Sequence, residues 1–168
     1  MIYDFTVPQF TKMLKNLDGI LAKIKPFAEA KKIEPEVLLN SRLAPDQFNF
    51  IRQVQIATDS AKLCVAKITG KDAPTHDDKE TTVEQLQKRI AETISYLGTV
   101  TEKDFAGAQE RKITTPRWEG KWLNGYEYAI QHSIPNVYFH VTVAYEILRH
   151  NGLDVGKKDY LGPMPFKN

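Results

Sequence analysis

Apolar positions recur every three or four residues along most of this chain, a spacing that predicts helices rather than strands. Phe10, Met13, Leu14, Leu17, Leu21 and Ile24 form the first stripe, with Lys12, Lys15 and Lys23 outside it. Thr6 followed by Pro8 reads as its start, a hydroxyl cap with a proline in the first turn. Pro26 should kink or divide the segment, leaving Phe27 to Lys31 as a remainder. Pro35 to Leu39 reads as a short helical turn across the end of a bundle. Ala44-Pro45-Asp46 opens a second long helix. Its apolar residues, from Phe48 to Ile68, surround most of its circumference, so it should be touched by neighbours on more than one side. Gly70 ends it. The polar run from Lys71 to Glu80 reads as an exposed loop with His76 solvated. Thr82 and Gln85 form a capping-box pair before a third helix whose inner stripe is Val83, Leu86, Ile90, Ile94 and Leu97. Gln87, Lys88, Arg89 and Glu92 fall outward or at its edge, and Gly98 stops it.

The stretch from Thr99 to Lys121 has no clear period. The β-formers around Pro116 suggest a small hairpin or an ordered loop. Asn124-Gly125 leads into a short helix over Tyr126 to Gln131, which Ser133-Ile134-Pro135 should break. The last helix then runs from Pro135 to the stop at Asn151-Gly152. The tail from Leu153 onward carries glycines and prolines and should wrap the bundle in extended form, held by Tyr160, Leu161 and Phe166. Four main helices without repeats or linkers predict one all-α domain spanning residues 1–168, with a long irregular connection before the last helix.

Composition narrows the function classes. Twenty-three basic and 21 acidic residues leave a formal charge of +2, too balanced to point to nucleic acid or an anionic membrane. No apolar run approaches the roughly 20 residues of a membrane span. The single cysteine, Cys64, lies in an apolar run, which suits a buried small hydrophobe and excludes an internal disulfide. With no leader-like N-terminus, these features point to a cytoplasmic compartment. No nucleophile elbow or phosphate-binding glycine loop is present. Trp118, Trp122, Tyr126 and Tyr128 cluster near one another, as a bundle-end cap or as the lining of a ligand surface.

The segment Arg52-Gln-Val-Gln-Ile-Ala-Thr-Asp59-Ser-Ala-Lys62, the residues Glu84, Leu86, Arg89 and Ile90, and above all Pro135-Asn-Val-Tyr-Phe-His140 through Ala144 to Arg149, with Gly152, Gly156, Lys157 and Asp159, resemble an uncharacterised family of bacteria and fungi. That family lies within the DinB-like and YfiT-like metalloenzyme superfamily. The resemblance covers about Phe5 to Leu161. It implies a DinB-like four-helix bundle with a pocket at one end, and a homodimer. Better-known superfamily members bind a divalent metal through three histidines, one from the second long helix and two spaced four apart on the last. Some transfer low-molecular-weight thiols or isomerise small acids.

This chain departs from that pattern. His140 matches one histidine of the last helix, Asn136 occupies the other position, and the second long helix has no histidine. Amides are poor ligands for zinc, nickel or iron, so the metal site reads as degenerate, with His140 a lone and weak candidate ligand. The candidate pocket is Gln53, Gln55, Asp59, Asn136 and His140. In it, Asn136 and His140 should hydrogen-bond Gln55 or Asp59 across the interior. His132 is not expected on the face of His140, and His150 suits the negative helix end. Two functions follow: a small-molecule or purely structural pocket without a cofactor, or a metal-dependent transferase or isomerase acting through His140.

Overall fold

The computed structural model describes residues 1–167. Four long helices make the bundle: α1 (Ile2–Leu21), α4 (Phe50–Thr69), α5 (Val83–Gly98) and α7 (Ile134–His150). Short helices α2 (Ile24–Lys31), α3 (Pro35–Leu39), α6 (Gly125–Glu127) and α8 (Lys157–Leu161) complete it. α4 packs on both α5 and α7, and α1 closes the ring against the same two helices. The core between them is aliphatic with two fully buried phenylalanines, Phe10 and Phe50. The one pairing of extended backbone among the described residues is the antiparallel bridge between Ile113 and Leu123. No described helix is long and apolar enough to cross a membrane.

Several boundaries differ from the sequence reading. α1 begins at Ile2, so Pro8 lies inside it. Thr6 is no cap: its hydroxyl donates back to the Ile2 carbonyl at 2.8 Å. Chain division comes at Ala22-Lys23, before Pro26, which the early turns of α2 accommodate. α4 starts at Phe50, not near Pro45. Asn49 is the cap, its side-chain oxygen accepting the Arg52 N–H at 3.0 Å. The Thr82–Gln85 capping box of α5 forms as expected. The C-terminal tail is not wholly extended. α8 docks on α1 through Asn16, which donates to the Tyr160 carbonyl at 2.8 Å, and on the α1–α2 junction through the Lys23–Asp159 ion pair at 2.7 Å. Tyr160 is an anchor, whereas Leu161 and Phe166 are exposed.

The long connection is ordered by three single turns of 3-10 helix and by the Ile113–Leu123 bridge, whose two N–H groups donate reciprocally at 2.9 and 3.0 Å. Beyond it, Ser133-Ile134-Pro135 breaks nothing. α6 runs through a π-helical turn, Tyr128–Ser133, straight into α7. Pro135 has no N–H to give the ladder and crowds the preceding turn. The wider i to i+5 turn just before it absorbs that defect within a continuous helix.

Candidate functional site

α4 and α7 run antiparallel, and each turns one stripe of side chains toward a cleft of about 560 Å³. From α4 come Arg52, Ile56, Asp59, Ser60, Leu63 and Lys67; from the opposite wall come His140, Asn136, His132 and Tyr128, four residues apart throughout. On α4 the spacing follows the 3.6-residue period. On the opposite wall it spans the π turn, which re-registers His132 and Tyr128 with the face of Asn136 and His140. That corrects the expectation that His132 lies off this face. Thr115, Pro116, Arg117 and Trp118 close one end.

His140 is buried, and its Nδ1 lies 2.7 Å from Gln53 Oε1. Gln53 in turn donates its amide N–H to the Phe48 carbonyl at 3.0 Å. Because Nε2 of Gln53 is committed as a donor, its Oε1 must accept, and His140 therefore carries its proton on Nδ1. Nε2 of His140 is left as a bare acceptor with no hydrogen-bond partner among the described residues. Burial, with Arg52 adding repulsion, brings the imidazole down to about 4. Asn136 donates to the Ser60 hydroxyl at 2.7 Å. The expected partners of Asn136 and His140, Gln55 and Asp59, are thus replaced by Ser60 and Gln53.

Gln55 turns instead toward α5 and the loop before it, and Asp59, at the edge of the cleft, bonds there as well; the centre of that network is Arg89. Sequence reasoning placed Arg89 outward or at the helix edge; it is 2% exposed. Its five N–H donors meet five acceptors. Nε donates to Thr58 Oγ1 at 2.7 Å; one terminal nitrogen reaches Asp78 at 2.6 Å and Glu80 at 3.0 Å. The other reaches Asp59 at 2.7 Å and the Gln55 carbonyl at 3.3 Å. A guanidinium buried this deeply requires such saturation. Arg52 adds a 2.6 Å bond to Asp78, and Gln55 donates to Glu80 at 2.8 Å. Burial alone would raise both loop carboxyls. At Asp78 the bonds from Arg52 and Arg89 outweigh it, and at Glu80 its own backbone N–H, Gln55 and Arg89 do, so both stay below their ordinary values.

The Lys71–Glu80 loop is therefore a strap rather than a solvated excursion. His76 belongs to it: its Nδ1 accepts from the buried Lys62 ammonium at 2.6 Å and its Nε2 lies 3.2 Å from Glu92. Burial, then the charges of Lys62 and Arg89, push its pKa down. Lys62 also pairs with Asp59 at 2.9 Å. One sequence signal for this network existed, an arginine one position before Ile90 in a stripe that admits its neighbours, but nothing local distinguishes it from a surface arginine.

Of the aromatic cluster, Trp118 and Tyr128 join His132 at the closed end of the cleft. Tyr128 and His132 stack with centroids 5.2 Å apart, and Trp118 meets both edge-on. Trp122 and Tyr126 remain exposed outside it. Cys64 is buried, and burial pushes its thiol up to about 12, so it packs as a hydrophobe.

The divalent metal that the resemblance implies does not fit these donors. Around His140 stand neutral amides, Gln53 with its oxygen on the imidazole Nδ1 and Asn136 with its N–H on Ser60, which lack the charge that holds a divalent ion. Among the described residues no three His, Cys, Asp or Glu side chains converge as a cation site. What the geometry defines is a helical bundle with a polar, partly aromatic cleft between two antiparallel helices. Residues 2–161 match the family described as Domain of unknown function (DUF1993), and the chain belongs to it. It is also similar to the crystal structure of a DinB family member protein from Shewanella denitrificans. The two share 61% identity over 100% of this chain and 96% of that one, with a TM-score of 0.97. Comparison with curated proteins gives no match.

Proposed function

We propose that this protein binds a small molecule in the α4–α7 cleft, using His140 as a neutral hydrogen-bond acceptor where the superfamily uses a metal ligand. The observation that carries this reading is the Phe48–Gln53–His140 relay, which commits Nδ1 and leaves Nε2 free at the cleft. The cleft falls within the few hundred to 1,000 Å³ typical of ligand pockets, and it combines apolar walls with a few convergent polar groups. An imidazole held near 4 is a feeble proton acceptor at neutral pH, so accepting a hydrogen bond suits it better than abstracting a proton.

Long-range proton–nitrogen NMR of the imidazole tests this directly. His140 should show the Nδ1-protonated neutral tautomer at pH 7, unchanged by one equivalent of zinc, and metal analysis of the dialysed protein should find no stoichiometric ion. A zinc-dependent shift of Nε2 together with a retained equivalent of metal would restore the metal-dependent transferase or isomerase.

A further inference from the structure

Among the described residues three cations open onto the cleft, Arg52, Lys67 and Arg117, against one carboxylate, Asp59. Asp59 is already bonded to Arg89 and Lys62, and Arg52 to Asp78. The unbalanced charge sits at Lys67 and Arg117, and neither has a carboxylate partner among the described residues. Lys67 is half-buried, its ammonium 5.6 Å from the centre of the Tyr128 ring, and burial lowers its pKa. An ammonium drawn partly out of water without a counterion is an unfavourable arrangement that an anion relieves. The π face of Tyr128 compensates only in part.

The opposite end of the cleft differs in chemistry. There the bare Nε2 of His140 accepts but cannot donate. From Tyr128 to His140 the wall advances roughly 18 Å, at about 1.5 Å per residue. A ligand satisfying both ends is therefore long and carries its negative charge at one end only.

We propose that the cleft binds an elongated organic anion, with its carboxylate or phosphate on Lys67 and Arg117 beside the Trp118–Tyr128–His132 wall and a hydroxyl or N–H at the far end donating to His140. This rests on the cleft being a ligand site, as proposed above, and adds the chemical class of the ligand.

The probe is 11-(dansylamino)undecanoic acid, which has a carboxylate, a long apolar stem and a distal sulfonamide N–H; its methyl ester is the neutral control. Both are titrated into the full chain and followed by the blue shift of dansyl emission, with the His140 nitrogen signals recorded in parallel. The acid should bind about tenfold or more tightly than the ester, as one charge-assisted contact permits. The Lys67→Gln/Arg117→Gln variant, with both changes at partly or fully exposed positions, should bring the acid down to the ester's affinity while weakening the ester far less than the acid. Either probe should shift the His140 Nε2 signal. If acid and ester bind equally, or the double variant keeps the preference, the anion assignment is overturned while the pocket stands. If neither probe binds and the His140 signals stay fixed, the pocket reading falls as well.

Discussion

Burial of the His140 ring disfavours its charged form, and the nearby Arg52 adds repulsion, which is why the imidazole stays neutral down to about 4. The sign for stability follows. Below about 6.5 the unfolded chain takes up a proton that the folded chain refuses, so stability falls as pH drops from about 6.5 to 4 and the loss levels off below that. Its size is at most about 3 kcal/mol, the full conversion of such a shift, and less to the extent that solvent in the cleft screens the ring. Urea unfolding of the wild type and of His140→Gln across pH 4.5–7.5 should give curves that converge at the acid end; parallel curves would contradict a neutral buried imidazole. Arg89 makes the complementary case, a charge that cannot be neutralised and is matched instead. Arg89→Met removes five donors at once and leaves Asp59, Asp78 and Glu80 without their main partner. Breaking a buried ion pair this way costs roughly 3–5 kcal/mol, which a urea midpoint would register.

At the scale of helices and turns, the stripes in α1 and α5, the all-round apolar α4 and the Thr82–Gln85 box were readable because they depend on periodicity and on caps within four residues. The helix from Gly125 to His150 was not readable as one piece. Pro135 signals a break locally, and only the wider turn over Tyr128–Ser133 reconciles it with a continuous helix. That same turn brings His132 to the cleft, so missing it also split the candidate site. Asn136 and His140 were identified from their four-residue spacing. Their partners Ser60 and Gln53 were not, because they depend on how α4 is rotated against α7, which no local pattern encodes. The start of this composite helix is tightly fixed. Gly125 lies so close to the 3-10 turn at Ala108 that an added Cβ would overlap the Ala108 carbonyl oxygen. Gly125→Ala should therefore destabilise the protein by about 1–3 kcal/mol, as overpacking does, and loosen the Trp118–Tyr128 end of the cleft. A lower melting temperature with weaker binding of the dansyl acid is the expected pair of results. Unchanged values of both would show that the Ala108 turn can yield.

Across the whole molecule, Arg89 lies where α4, α5 and the strap meet, so its loss should separate the strap from the bundle before the bundle itself opens. The strap between Gly70 and Thr82 has no helix or strand of its own, and its order comes from ion pairs and hydrogen bonds made by Asp78, Glu80 and His76. Segments held by few apolar contacts open at a lower free energy than the core. Lys79 is exposed within it, paired among the described residues only with Asp77 at 3.1 Å, which makes the bond after Lys79 a sensitive reporter. Trypsin should cut there slowly in the wild type and far faster in Arg89→Met, at a rate that does not follow global unfolding in urea. Salt up to 1 M should change the wild-type rate little, because the Arg89 contacts are buried and poorly screened. Acid should mimic the substitution. The lowered pKa values of Asp78 and Glu80 mean their contribution is present above the ordinary carboxyl range and lost as pH falls through their folded values. An acid-stable protease such as pepsin, applied at successively lower pH, should then find the strap open only below the ordinary carboxyl range, while helical circular dichroism persists. Equal cleavage of the wild type and Arg89→Met at neutral pH would show that the strap is held by its own packing, and Arg89 would then be a local buried ion cluster with no role in joining the strap to the bundle.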